Sequence, residues 1–194
     1  MKMEEIFAEL PALETERLRL RKLRLEDAED MFEYASDPEL TKHLVWVAHQ
    51  EIRDTRDYIK TVLDRYRRGL VSSWGVEHRN DRRLIGTCGY ISWVPLGNLG
   101  RHARAEIGYA LSRRYWGQGL MPEAVNAVIS FGFRKMKLNR IQATCQVGNL
   151  ASERVLEKVG MKFEGVLREY MYAKGAYRDL KMFSILRSEW TEDR

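Results

Sequence analysis

The 194-residue sequence predicts an α/β fold in which helices pack on a single mixed β-sheet. Stretches with alternating apolar residues, typical of strands, are interspersed with stretches whose apolar residues recur every three or four positions, typical of helices. No internal repeat or Pro/Gly/Ser-rich linker divides the chain, and 44% hydrophobic residues is an ordinary share for a globular protein. We therefore expect one domain over residues 1–194, with an ordered core of roughly 13–190.

The predicted element order is β-α-α-β-β-β-α-β-α-β-β, and it begins with one strand and two helices. Segment Arg17–Arg21 alternates strictly between Arg and Leu, which predicts a half-buried strand. Helical spacing follows over residues 25–36 and stops before Asp37-Pro38. A second helix is predicted over Glu51–Arg68, where Gly69 ends it.

The middle of the chain predicts three strands and the principal helix. Residues 72–78 and 83–93 have strand character and are separated by a short polar turn, and residues 105–112 form a third strand. The clearest helical pattern is Met121–Phe133, whose apolar residues recur at i, i+3, i+4 and i+7, and Pro122 lies in its first turn.

The last third predicts a strand at 140–147, a helix at 151–160, and two strands at 161–173 and 176–186. Asn149 is a natural N-cap for the helix. The Lys174-Gly175 pair is typical of a hairpin turn between the last two strands.

Several classes of protein are disfavoured by composition. No apolar run approaches the roughly 20 residues of a membrane helix, and the acidic N-terminus has no apolar signal core, so we expect a cytoplasmic protein. The cysteines, Cys88 and Cys145, lie far apart in apolar segments and are expected to be buried thiols. The four histidines form no metal-binding pattern, so no metal is expected.

The stretch Arg113–Leu120, "RRYWGQGL", indicates an anion site. It joins a strand to a helix N-terminus, which presents unpaired N–H groups and the positive end of the helix dipole. Gly117 and Gly119 allow close approach of the backbone to a bulky anion, and Arg113 and Arg114 can add charge-assisted bonds to a diphosphate. The alternative is an ordinary surface turn with solvated arginines.

Within this stretch, Arg114-Tyr115-Trp116-Gly117-Gln118-Gly119 matches the pattern [RQ]-x-x-G-x-[GA]. It resembles the acetyl-CoA pyrophosphate loop of the GNAT superfamily of N-acetyltransferases. Residues 15–39, 105–125 and 149–165 resemble three signatures of one branch of that superfamily, the ribosomal-protein N-terminal acetyltransferases RimJ and RimL. The resemblance implies the GNAT fold, acetyl-CoA as cosubstrate, and direct attack of a primary amine on the thioester.

The resemblance also implies a cofactor-binding surface made by the end of one strand, the glycine loop and two helix starts. Trp116 is equally compatible with packing. The predicted members are Ala110, Leu111, Ser112, Arg113, Arg114, Trp116, Gly117, Gln118, Gly119, Leu120, Asn149 and Ser152.

Two residues are candidates for catalysis. Glu106 is the only charge within an apolar strand, so burial is expected to raise its pKa and suit it to act as a general base. The alternatives are an ion pair with Arg101, Arg104 or an arginine of a neighbouring strand, or action through a water molecule. Ser152 matches the Asn-x-x-Ser pattern of the branch and is a candidate to protonate the leaving thiolate, the alternative being an ordinary helix-start serine.

The sequence indicates less about the acceptor of the acetyl group than about the cosubstrate. Trp46, Tyr90, Trp93 and Tyr172 are candidates to line its pocket, although strand aromatics are more often core, and His43 and His102 are weaker candidates. We expect a protein N-terminal amine of the ribosomal kind.

Three alternatives to this acceptor stay open. They are a polyamine or aminoglycoside acceptor, a non-catalytic ribosome- or RNA-binding module, and a CoA sensor. The net charge of +5 is spread along the chain, so no direct nucleic-acid contact is expected, while a homodimer is plausible.

Overall fold

The computed structural model describes residues 3–94 and 103–191. These residues form eight strands and six α-helices, with 3₁₀ turns at Leu25–Asp27 and Arg113–Tyr115. The strands are β1 (Leu13–Glu14), β2 (Leu18–Arg21), β3 (Ser73–His78), β4 (Arg83–Val94), β5 (Arg104–Leu111), β6 (Arg140–Gln146), β7 (Lys162–Ala173) and β8 (Ala176–Leu186). The helices are α1 (Met3–Glu9), α2 (Ala28–Ala35), α3 (Pro38–Thr41), α4 (Ile52–Arg67), α5 (Leu120–Arg134) and α6 (Leu150–Lys158).

The predicted mixed α/β architecture and its element order are confirmed, with three short elements added: α1, β1 and α3. Helix α1 lies ahead of the predicted ordered core. It was missed because seven residues carry little periodicity, yet it buries Ile6 and Phe7 almost completely. Both cysteines are buried and free, as expected.

One sheet of order β1-β2-β3-β4-β5-β6-β8-β7 contains all eight strands. Every neighbouring pair is antiparallel except β5 and β6, which run parallel and pair only from Arg104↔Arg140 to Glu106↔Gln142. Beyond that point β5 continues to Leu111 and β6 to Gln146 without pairing to each other. We call this opening, between residues 107–111 and 143–146, the β5–β6 wedge.

The two faces of the sheet are covered by different helices. On one, Tyr90 donates from its hydroxyl to the carbonyl of Val128 in α5 at 2.7 Å, and a Cβ at Gly132 would collide with that hydroxyl. On the other, α2 packs against α4 and against β4. We call these the α5 face and the α2 face. Since side chains alternate along a strand, Tyr109 points to the α5 face and Glu106 to the α2 face.

Within the two described ranges, no helix is long and apolar enough to cross a membrane. The same residues contain no cluster of three or more His, Cys, Asp or Glu side chains that could hold a metal ion.

Candidate active site

The glycine loop ahead of α5 has the backbone conformation that its sequence predicts. Gly117 and Gly119 both have φ of 76°, in the left-handed region that disfavours residues with a Cβ. A Cβ at Gly117 would meet nothing within 4 Å, and one at Gly119 would have Arg17 Nη2 at 3.6 Å as its nearest neighbour. Glycine is therefore required here by conformation, and the surface of the loop is open to a ligand.

Arg113 and Arg114, predicted as phosphate ligands, are paired with carboxylates. Arg113 Nε donates to Asp37 Oδ2, at the N-cap of α3, at 2.5 Å, and Arg114 Nη1 donates to Glu33 Oε1 of α2 at 2.7 Å. The bond from Arg114 holds the pKa of Glu33 below its usual value. The two arginines thus connect the glycine loop to the helices of the α2 face.

Trp116 ties the loop to the end of β5. Its indole N–H donates to the carbonyl of Leu111 at 2.7 Å, which explains the residue as a brace. The next amide, that of Ser112, donates to Ile85 in β4 at 2.8 Å. Because backbone groups alternate in direction along a strand, the amides of Tyr109 and Leu111 face the wedge, whereas those of Ala110 and Ser112 face β4.

A third anchor of the loop was not predicted. Glu123, in the first turn of α5, accepts from the Thr15 hydroxyl at 2.6 Å and from Arg17 Nε at 2.7 Å. Arg17 Nη1 also donates to the carbonyl of Gln118 at 2.9 Å. Burial acts to raise the pKa of Glu123, but the bonds from Thr15 and Arg17 outweigh it and lower the pKa. The sequence gives little indication of this cluster, beyond the fact that Thr15 and Arg17 are two residues apart and come directly before β2.

Glu106 is the last residue of β5 that pairs with β6, so its half-buried carboxylate lies at the closed end of the wedge. Its Oε1 accepts from the Thr144 hydroxyl at 3.0 Å and its Oε2 from Gln142 Nε2 at 3.2 Å. No cation of residues 3–94 or 103–191, Arg104 included, forms a salt bridge with it. The other ion-pair partner considered, Arg101, lies outside the described residues.

The amide of Gln142 is oriented by a neighbouring ion pair. Arg140 Nε donates to Gln142 Oε1 at 3.2 Å, which leaves the amide nitrogen to donate to Glu106. Arg140 is held in turn by Glu164 through bonds of 2.6 and 2.5 Å, which lower the pKa of Glu164 to about 2. A chain of polar contacts thus fixes the candidate base.

Ser152 lies on the α5 face of the wedge and has a partner that the sequence did not reveal. Its Oγ is 2.7 Å from the Tyr109 Oη, and its amide donates to the Asn149 side chain at 3.2 Å, so the predicted N-cap is confirmed. Cys145 faces the same side, where burial raises the pKa of its thiol to about 11. The site therefore holds a carboxylate on one face of the wedge and hydroxyl groups on the other.

The predicted pocket aromatics are not gathered at Glu106. Tyr90 is 1% exposed in the core, and Trp93 packs on Phe7 with a ring distance of 6.2 Å, on the face opposite Glu106. Neither placement supports a role in acceptor binding, since strand parity points both side chains toward α5.

Tyr172 also lies away from Glu106. It stacks on Tyr177 at the exposed tip of the β7–β8 hairpin. Tyr177 is seven residues along β8 from Ser184, which pairs with Gln142, so the tip lies about 20 Å from the level of Glu106.

Trp46 alone among the four lies with elements of the α2 side. It precedes α4 and is half-buried, and its ring is 5.4 Å from that of His49. His49 in turn is 6.4 Å from the ring of Tyr58 in α4. His43 is half-buried in the segment before Trp46, and His102 lies outside the described residues.

A family described as "Acetyltransferase (GNAT) domain" has a sequence model that matches residues 17–162, which include the wedge, the glycine loop and α6. The chain belongs to the GNAT acetyltransferase family. Enzymes of this family use acetyl-CoA, and the resemblance found in the sequence is therefore confirmed.

Relatives of the chain support the assignment over its whole length. The uncharacterized N-acetyltransferase p20 of Bacillus licheniformis is 38% identical over 181 residues, covering 93% of this chain and 99% of p20. A GNAT-family acetyltransferase crystal structure from Bacillus anthracis has a TM-score of 0.79 at 30% identity, covering 92% of this chain and 100% of that one. The ribosomal protein uS5-alanine N-acetyltransferase of Escherichia coli is 26% identical over 129 residues, covering 66% of this chain and 64% of its own. The protein is accordingly an N-acetyltransferase.

Proposed function

We propose that the protein transfers the acetyl group of acetyl-CoA to the free N-terminal amine of a polypeptide, of the kind found on ribosomal proteins. The observation that carries this proposal is the β5–β6 wedge, which separates a carboxylate at Glu106 from hydroxyl groups at Ser152 and Tyr109. Transfer of an acetyl group from a thioester to an ammonium group is assisted by a proton acceptor for the amine and a proton donor for the leaving thiolate, each within hydrogen-bond reach of its proton.

The residues around the wedge fit acetyl-CoA. The amides of Tyr109 and Leu111 face an edge of β5 that β6 does not cover, which suits a ligand arm that carries amide groups of its own. The open loop at Gly117 and Gly119, at the N-terminus of α5, suits the diphosphate. In this proposal Arg113 and Arg114 position the loop through Asp37 and Glu33 and add positive potential beside it.

Glu106 is proposed to accept the proton of the attacking ammonium, directly or through a water molecule. Its carboxylate is held by Gln142 and Thr144, which are neutral donors, and no cation of residues 3–94 or 103–191 neutralises its negative charge. Both donors are on β6, at the closed end of the wedge. Ser152 is proposed to return a proton to the thiolate of CoA from the other face.

The acceptor class is inferred from a relative and from the charges around the site. The relative from Escherichia coli is named for the alanine of ribosomal protein uS5. A polyamine or aminoglycoside calls for uncompensated acidic groups, but Glu33, Asp37 and Glu164 are each paired with an arginine. A polypeptide amine, which brings a single positive charge, is the better match.

A panel of acceptors tests the proposal. It contains octapeptides that begin with Ala or Ser, the same peptides with an acetylated N-terminus, spermidine and kanamycin. Release of the CoA thiol from acetyl-CoA is the readout. We expect turnover with the free peptides and none with the blocked ones. Turnover with spermidine or kanamycin alone would replace the proposed acceptor, and no acceptor-dependent thiol release would contradict the proposed function for these acceptors.

A further inference from the structure

The hydroxyl pair formed by Tyr109 and Ser152 has a property that neither residue has alone. Tyr109 is on β5 and Ser152 is in the first turn of α6, 43 residues further along the chain, yet their oxygens are 2.7 Å apart. The pair lies on the α5 face of the wedge, opposite Glu106. We propose that Tyr109 is a positioning residue and proton source for Ser152, so that the two hydroxyls relay a proton to the leaving thiolate. This inference rests on the proposed function.

Acidity sets the expected direction of the shared proton, because either oxygen could donate at this distance. The Tyr109 hydroxyl has a single proton, and both of its contacts within hydrogen-bond distance belong to Ser152, namely Oγ at 2.7 Å and the backbone carbonyl at 3.3 Å. A phenol is a far stronger acid than an alcohol, and the shorter contact is to Oγ, so Tyr109 donates to Ser152. The serine proton then has two directions open to it, into the wedge and toward Cys145 on β6, where a bond with Ser152 acts to lower the thiol pKa against the larger effect of burial. If the bond ran the other way, Ser152 would have no proton to give.

The acidity of serine is the reason that a second hydroxyl is needed. A serine hydroxyl is a poor acid for a thiolate, because the alkoxide left behind is a much stronger base than the thiolate it has protonated. In the relay, the Ser152 Oγ–H bond breaks as a bond to sulfur forms, and the Tyr109 Oη–H bond breaks as a new bond to Oγ forms. A proton from solvent replaces that of Tyr109 as the relay runs, so that no charge comes to rest on the phenol, whose pKa burial raises.

The surroundings keep the pair fixed and protonated. The amide of Ser152 is bound by the Asn149 side chain, so the serine is held through both its backbone and its hydroxyl. Burial raises the pKa of Tyr109 well above its usual range. The acidic group nearest in the chain, Glu153, is paired with Lys181 at 2.7 Å.

The rival explanation is a purely structural bond that ties α6 to β5. Kinetic constants separate the two, because a tie contributes to stability and to acetyl-CoA binding, whereas a relay contributes to kcat. The variants are Tyr109→Phe, Ser152→Ala and the double variant. Tyr66→Phe is the control, since Tyr66 also donates from its hydroxyl to a backbone carbonyl, that of Ser73 at 2.6 Å, and is remote from the wedge, although it is more deeply buried than Tyr109.

Rates are measured by CoA thiol release with the peptide that gives the highest wild-type rate. We expect Tyr109→Phe and Ser152→Ala each to lower kcat by roughly 100-fold, the lower end of general acid catalysis. The KM for acetyl-CoA should change little, and the double variant should be no slower than Ser152→Ala. The control should lower the thermal midpoint and leave kcat unchanged.

Several results would overturn the relay. They are a Tyr109→Phe enzyme with wild-type kcat, a loss confined to KM, or losses that multiply in the double variant. If wild-type enzyme shows no turnover with any peptide, the proposed function fails first, and that outcome is distinct from these. If Tyr109→Phe does not fold, Tyr109 is replaced by 3-fluorotyrosine, which keeps the hydroxyl and makes it more acidic. A changed kcat supports the relay, and an unchanged kcat contradicts it.

Discussion

The two faces of the β5–β6 wedge carry different kinds of polar group. On the α2 face, a half-buried carboxylate is held by side chains of β6, and an exposed ion pair orients one of them. On the α5 face, a half-buried phenol and a serine hydroxyl bind each other, and an asparagine caps the helix that carries the serine. One strand, β5, thus presents a carboxylate and a phenol within four residues, because Glu106 and Tyr109 point to opposite sides, and these are the groups proposed to accept and to supply a proton.

The largest effect is expected from a change at Glu106, the proposed proton acceptor. Replacement of Glu106 by Gln keeps the size of the side chain and removes its basicity. We expect kcat to fall by about 100-fold or more, within the range for general base catalysis, with little change in the KM for acetyl-CoA. Steady-state rates at saturating acetyl-CoA give the answer. The control is Arg104→Gln, on the same face of β5 but exposed and not bonded to Glu106. A Glu106→Gln enzyme that retains wild-type kcat would remove this carboxylate from the reaction.

A change in the glycine loop should weaken the binding of acetyl-CoA. It should not alter the proposed proton transfers on either face of the wedge. At Gly117 a Cβ meets no neighbour, so alanine costs only the strain of a positive φ, roughly 1–2 kcal/mol. We expect Gly117→Ala to raise the KM for acetyl-CoA by about tenfold and to leave kcat nearly unchanged. Isothermal titration with CoA provides the matching affinity. Gly175→Ala, at a positive φ in the distant hairpin, is the control for strain alone.

A change at Glu33 on the α2 side can either raise or lower the KM for acetyl-CoA, and the direction distinguishes two roles for Arg114. Replacing Glu33 by Gln releases Arg114, and also weakens the hold on Arg83. If the pair positions the loop, the KM for acetyl-CoA rises by about two- to fivefold, a small effect because the pair is exposed. A lower KM would mean instead that Arg114 is a phosphate ligand held back by Glu33. Measuring KM at two salt concentrations checks that the effect is electrostatic.

The smallest effect is expected from the ion pair behind Glu106. The pKa of Glu164 is lowered from 4.5 to about 2 by Arg140, so the folded state favours the ionised form. The stabilisation is fully present above pH 4.5 and is lost as the pH falls toward 2. Glu164→Gln should therefore lower the free energy of unfolding at pH 6 by less than about 1 kcal/mol, because the pair is exposed and screened. Urea titrations at pH 6 and pH 3 should show this difference shrinking on acidification. If the difference in unfolding free energy between wild type and Glu164→Gln is the same at both pH values, the effect comes from packing and not from the ion pair.

The sequence predicted those parts of the molecule that local patterns control. The order of the main elements follows from apolar periodicity. Gly117 and Gly119 indicate the loop because both have a positive φ, a backbone conformation that favours glycine over residues with a Cβ. Asn149 likewise indicates the start of α6. Each of these depends on neighbours a few residues away.

The contacts that build the site cross the chain and were not predictable in this way. Thr144 bonds to Glu106 across 38 residues, Ser152 to Tyr109 across 43, and Arg113 to Asp37 across 76. Strand parity separated Glu106 from Tyr109, but it gave no sign that a serine on α6 meets the tyrosine. The same limitation explains why Tyr90 and Trp93 were predicted as pocket residues. Their burial on the α5 face depends on which helix covers which side of the sheet.

The structure of the protein crystallised with CoA tests the central claim most directly. The account predicts that the pantetheine arm lies between β5 and β6 and bonds to the backbone of Tyr109 and Leu111. The thiol should then lie between Glu106 on one face and Ser152 on the other, with the diphosphate at Gly117 and Gly119. A CoA molecule bound outside the wedge, or one whose thiol lies away from both Glu106 and Ser152, would contradict it.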